Sequence, residues 1–204
     1  QLEVTESGLR VRIDDELVTR NTVSDAITNG TFNTDLTGWT DNDEVGGAST
    51  WATGGYMALL GTGAAAAIRT QQVTAGSVGT ERAIRIVIAR GPVTLMVGSS
   101  AGADDYISET TLGTGTHSLA FTPSGNYYIR FQSRRSYTTL VDSVTVEAAG
   151  AMELPVPWQD EDHQLLRTTQ SGDVIYVACG KRPTTTGYQQ RKIERRAART
   201  NRSS

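Results

Sequence analysis

Asn29-Gly30-Thr31-Phe32-Asn33-Thr34-Asp35-Leu36-Thr37-Gly38-Trp39-Thr40 is the stretch whose reading decides the fold, taken with its distant partner Leu140-Val141-Asp142-Ser143-Val144-Thr145-Val146. Asn-Gly is turn chemistry, because both residues tolerate left-handed backbone. A lone aromatic, a polar loop and a second turn at Gly38-Trp39 follow, as at the opening of a small β-sandwich. The distant segment reads as its closing strand.

Between the two, the composition is rich in Gly, Thr, Ala and Ser, with turn signals about every ten residues. Strands are expected around Trp51 and over residues 56–60, 66–73, 83–90, 93–97, 117–122, 126–132 and 140–147. Ile84, Ile86 and Ile88 share one face of their strand, and Tyr127, Ile129 and Phe131 share one face of theirs. These two faces are expected to meet in the core. Evenly spaced short strands predict an all-β sandwich rather than βαβ units.

The flanks differ in character. Leu2, Val4, Leu9, Val11 and Ile13 alternate around turns at Gly8 and Asp14-Asp15-Glu16, which reads as a hairpin with a solvated acidic corner rather than a metal site. Leu154-Pro155-Val156-Pro157-Trp158 must be extended, since proline fixes its own φ and keeps its predecessor out of the α region. From Gln159 to Arg167 acids precede a base, the charge order that suits a short helix. Val174 to Ala178 is an apolar run of strand length, with the first hairpin as its expected sheet partner. The predicted organisation is a β-sandwich, residues 25–149, inserted in a smaller β unit with one short helix made of residues 1–24 and 150–180. Residues 181–204 form a basic linker or arm.

The 204 residues carry a net charge of -3, an average that hides an asymmetry. Arg191, Lys192, Arg195, Arg196, Arg199 and Arg202 against Glu194 give the last fourteen residues +5, leaving -8 on the remainder. Without interleaved aromatics or a groove motif, this tail is read as a solvated linker or interface arm and not as a nucleic-acid site. No apolar run is long enough to span a bilayer, so no membrane partner is expected. Cys179 is the single cysteine, which excludes an intrachain disulfide, and its apolar neighbours make it a small core residue. The chain begins at Gln1 already in a strand pattern, as a processed product or a piece of a longer chain would.

No catalytic residues are expected. Gly98-Ser99-Ser100-Ala101-Gly102 matches the G-x-S-x-G elbow, but Asp104, Asp105 and Tyr106 follow where a helix is required, so the match reads as a glycine hairpin. His117 and His163 have no spacing to each other or to Cys179 that fits zinc. Trp51, Tyr56, Tyr106 and Tyr137, in polar or glycine-rich surroundings, are the carbohydrate-binding candidates, with edge packing as the competing role. Trp39 is assigned to the core. Asp142, in register with Leu140, Val144 and Val146, is expected to face inward, where a carboxylate needs backbone donors, a cation or a metal.

The middle of the chain resembles jelly-roll carbohydrate-binding modules of the galactose-binding-like type through Asn29-Gly30-Thr31-Phe32, Gly38-Trp39 and Asp142-Ser143-Val144. That resemblance implies a structural calcium held by Asp142, the Thr31 backbone oxygen and Asn33, the last standing where an acid is commoner. The competing role for Asp142 is a hydrogen bond to the 29–33 loop. The flanks, Leu2 to Ile13 and Leu154-Pro155-Val156-Pro157-Trp158 through Gln170-Ser171-Gly172-Asp173-Val174-Ile175-Tyr176, resemble a segment of tail structural proteins of short-tailed bacteriophages. It implies a virion structural protein, a tail or adaptor component. Its partners would be copies of itself, other tail or connector proteins, and a surface glycan bound weakly by the displayed jelly roll. The alternative is a secreted, extracellular carbohydrate-binding module without a virion role.

Overall fold

The computed structural model describes residues 2–4, 8–13, 16–17, 19–20, 23–147, 150–151, 153–156, 158, 160–172, 174–180, 188 and 190–194. Asp14, Asp15, residues 181–187 and the basic residues beyond Glu194 lie outside them. Two compact units divide the chain, Gln1–Val18 with Ala151–Ser204, and Thr19–Gly150. In chain order the strands are β1 (Leu2–Val4), β2 (Gly8–Ile13), β3 (Glu16–Leu17) and β4 (Thr19–Arg20). There follow β5 (Thr40–Asp41), β6 (Ala48–Ala52), β7 (Tyr56–Leu60), β8 (Ala67–Val73) and β9 (Arg82–Arg90). Next come β10 (Val93–Gly98), β11 (Ile107–Leu112), β12 (Gly115–Phe121), β13 (Tyr127–Ser133) and β14 (Thr139–Val146). After β15 (Gly150–Ala151) and β16 (Glu153–Pro155), a 3-10 helix spans Asp160–Leu165 and leads to β17 (Leu166–Ser171), β18 (Val174–Cys179) and β19 (Arg191–Glu194).

The continuous unit is a jelly-roll sandwich. One sheet runs β12-β9-β14-β7-β6 and the other β11-β10-β13-β8-β5. Counted from β7 as first to β14 as eighth, the sheets read sixth-third-eighth-first and fifth-fourth-seventh-second, the strand order of a jelly roll. β6 and β5 each add an edge strand. First and last strands are hydrogen-bonded neighbours, Val141 opposite Met57, so the ends of the roll lie side by side.

The core forms where the two expected faces meet. Ile84, Ile86 and Ile88 of β9 and Tyr127, Ile129 and Phe131 of β13 are all buried and belong to one cluster with Phe32, Trp39, Met57 and Leu95. Each fully buried aliphatic chain contributes roughly 1.5–3 kcal/mol of transfer free energy. β5, most of β6, and β11 were not legible as strands because they are short, polar edges with one face open. The inward register expected for Asp142 does not hold. Pairing steps from Val141↔Ile88 to Ser143↔Val87, so Asp142 is the extra residue of a bulge, and Val141 and Val144 are the buried pair.

In the discontinuous unit, β2 lies between β1 and β16, with β3 also on β2. Leu9, Trp158, Val177 and Cys179 form its core with Leu154, Val156, Leu165 and Ile193 around them. The helix appears where the acids predict it. β18 is not paired with the first hairpin: it is the middle strand between β17 and β19. The reason is local. Ser171 pairs with Val174 across Gly172, whose φ of 57° suits a two-residue turn, so the neighbouring segment closes first. Within the stretch read as a basic arm, Arg191–Glu194 is β19. Among the described residues no helix is long and apolar enough to cross a membrane.

Candidate ligand groove

The opening loop is built around its own backbone. Asn29 adopts φ 47°, and its side-chain amide donates to the Asp35 carbonyl at 2.8 Å and the Asp35 carboxylate at 2.9 Å. Phe32, at φ 50°, is fully buried and meets Trp39 edge-on at 5.7 Å. The Trp39 indole N–H donates to the Thr28 carbonyl at 3.1 Å, and the Gln71 amide bridges Thr28 and Gly38. Trp39 is core, as its sequence context required. The Val144 N–H donates to the Gly30 carbonyl at 2.7 Å, which pins the loop to the last strand.

Thr31 and Asn33 are exposed on this loop, and Asp142 is half-buried with its carboxylate accepting the Ser143 hydroxyl at 3.2 Å. A depression of about 390 Å³ is lined by Thr31, Gly30 and Val144 but not by Asp142 or Asn33. Among the described residues no three His, Cys, Asp or Glu side chains are grouped to hold a metal ion.

The four aromatic candidates lie apart in role. Trp51, on edge strand β6, is 38% exposed, and its indole N–H is committed to the Phe32 carbonyl at 2.7 Å. Tyr56 is half-buried against Gly54. Tyr106 stacks on Phe121 at 6.3 Å and shares a 2.7 Å hydrogen bond with Ser124. Tyr137 alone lines a sizeable groove, is 39% exposed, and has the Arg90 guanidinium 5.3 Å from its ring centroid. Ser100 lies in the β10–β11 hairpin loop, which is closed by Ser99 N–H on the Asp105 carboxylate at 2.8 Å. That bond holds the Asp105 carboxyl below the usual carboxylate range.

The groove of Tyr137 measures about 380 Å³ and lies where the β13–β14 connection crosses the outer face of the β11-β10-β13 sheet. Thr111, Thr94 and Gln132 sit side by side on three adjacent strands and line it. Arg130 donates to the Gln132 side-chain oxygen at 2.7 Å and fixes that amide. Glu109, Arg134 and Arg135 add the charges. Arg134 is spoken for: both terminal nitrogens meet the Glu44 carboxylate at 2.8 Å, and one also bonds the Ala64 carbonyl. Arg134, and next the Ala66 N–H, hold the Glu44 carboxyl below its usual range. Arg135 is exposed and makes no side-chain hydrogen bond or ion pair among the described residues.

Hydroxyls, an amide, a phenol and a guanidinium in one cleft can bind a polar ligand through directed hydrogen bonds and one flat ring. Of these residues only Tyr137 was singled out from sequence. The outward positions of β10 and β13 could have supplied Thr94 and Gln132, because they alternate with Leu95, Ile129 and Phe131.

The fold and groove define a jelly-roll β-sandwich protein with a surface cleft. Beyond that class, no model of a known protein family matches the chain, and no curated protein sequence matches it significantly.

Proposed function

We propose that the chain is a structural component of a virion, a tail or adaptor protein that assembles with copies of itself and displays the jelly roll outward. The observation that carries this reading is the edge of β12. Of the four edges of the sandwich, β5 is two residues long, β6 is five, and β11 carries Glu109 and a bulge against β10. β12 runs seven residues, Gly115–Phe121, in unbroken register with β9, with no Lys, Arg, Asp, Glu or Pro and, among the described residues, no strand on its other side. Monomers blunt such edges with charge, proline or bulges. A long unguarded edge supports pairing with another copy, and the arrangement of one continuous unit between the two segments of another supports an anchor carrying a displayed domain.

In this account the mechanism is assembly, with no turnover. The displayed jelly roll meets cell-surface glycan through the groove of Tyr137. Native mass spectrometry of the protein and of Thr116→Lys tests the assembly. Multimers that dissociate on placing the charge in the middle of β12 are expected, and multimers that persist unchanged would exclude this edge.

A further inference from the structure

We propose that the groove beside Tyr137 binds a carboxylated saccharide, with the carboxylate on Arg135 and a sugar ring against the Tyr137 phenol. The inference rests on reading the jelly roll as the displayed, ligand-facing domain, and it adds the class of ligand.

The size comes first. About 380 Å³ falls in the range of small-molecule clefts. The lining then narrows the chemistry, since Thr94, Thr111 and the Arg130-fixed amide of Gln132 present donors and acceptors matched to hydroxyl groups. Tyr137 supplies the flat apolar surface, and Arg90 over its ring steadies it.

Charge decides between a neutral and an acidic sugar. Arg134 is neutralised by Glu44, while Arg135 has no such partner among the described residues. Covering an unpaired guanidinium with a neutral ligand strips its water and returns no counter-charge. A carboxylate returns two parallel hydrogen bonds in the fork geometry that guanidinium favours. Glu109, the acid of the lining, is then an acceptor for a ring hydroxyl. A uronate and a sialic acid share the required carboxylate and the six-membered ring, and differ in the ring carbon that bears the carboxylate and in the glycerol side chain that only the sialic acid carries.

The test is titration calorimetry of the full chain with trigalacturonate and with sialyllactose, beside galactotriose and lactose as neutral counterparts. One carboxylated probe is expected to bind about tenfold tighter than its neutral counterpart or better, and which one identifies the source. Arg135→Gln should abolish that preference, and Tyr137→Ala should weaken binding while Tyr137→Phe retains it. Both positions are exposed, and an unchanged melting temperature confirms that each variant is folded. Absence of binding by both carboxylated probes overturns the proposal, as does equal binding of the neutral sugars. A sulfated disaccharide that binds equally well, insensitive to Tyr137→Ala and lost in salt, also overturns it by reducing the effect to charge attraction. Multimer mass measured on the same samples separates the two readings: multimers without sugar binding sink this inference alone, and sugar binding by a monomer sinks the assembly alone.

Discussion

Asp25 and Arg82, 57 residues apart in the chain, meet as a fully buried ion pair between the start of the jelly roll and the first residue of β9. Every other group around them is also matched. The Tyr127 hydroxyl donates to the same Asp25 oxygen at 2.9 Å, the Gly76 N–H takes the other at 2.8 Å, and Arg82 donates to the carbonyls of Ser77 and Thr80. Removing one partner leaves a charge buried without its counter-charge. Arg82→Met is therefore expected to lower stability by about 3–5 kcal/mol, read as a shift of the urea midpoint. Arg82→Met with Asp25→Asn should recover part of that loss.

Tyr127 links this cluster to pH. Burial first, and then its bond to the Asp25 carboxylate, push the phenol above its ordinary range. In the unfolded chain a tyrosine titrates near 10, so below about pH 10 both states hold the proton and stability is unaffected. Above it the unfolded chain releases a proton that the folded chain keeps, and stability falls as pH rises. Tyr127→Phe should flatten this alkaline decline in denaturant titrations at successive pH values, at a cost near neutrality of about 1 kcal/mol.

Gly30 tests the docking of the opening loop. A Cβ there would fall 2.2 Å from the Val144 carbonyl oxygen, which is backbone and cannot step aside. Gly30→Ala is expected to cost about 1–3 kcal/mol. Gly113 meets nothing within 4 Å and has no left-handed φ, so Gly113→Ala should be neutral or stabilising by up to about 1 kcal/mol. Thermal unfolding of the two variants side by side checks this, and equal effects would contradict the loop geometry.

Trp51 separates packing from recognition. With its N–H held by Phe32, Trp51→Phe should cost about 1 kcal/mol and leave retention on an acidic polysaccharide unchanged. Loss of retention with full stability would move the proposed ligand surface from Tyr137 to β6.

How much of this was legible in sequence depends on whether a residue's role is set by its neighbours in the chain or by distant ones. The faces of Ile84 to Ile88 and Tyr127 to Phe131 were readable because strand alternation is local. The short helix at Asp160–Leu165 was readable from its acids. Asp142 was read in one register with Val144 because the bulge that separates them is set by pairing with β9, which its own flanks do not encode. β18 found β17 rather than the first hairpin because a two-residue turn at Gly172 outweighed its apolar character. Arg135 gave no signal, since its having no ion-pair partner among the described residues depends on Glu44 choosing Arg134 from 90 residues away.

The proposed assembly of copies of this chain through an open sheet edge is open to analytical ultracentrifugation over a wide concentration range, with image averages of the largest species. A closed, symmetric multimer that Thr116→Lys returns to monomer is predicted. A protein that stays monomeric at the highest concentration reached would contradict it.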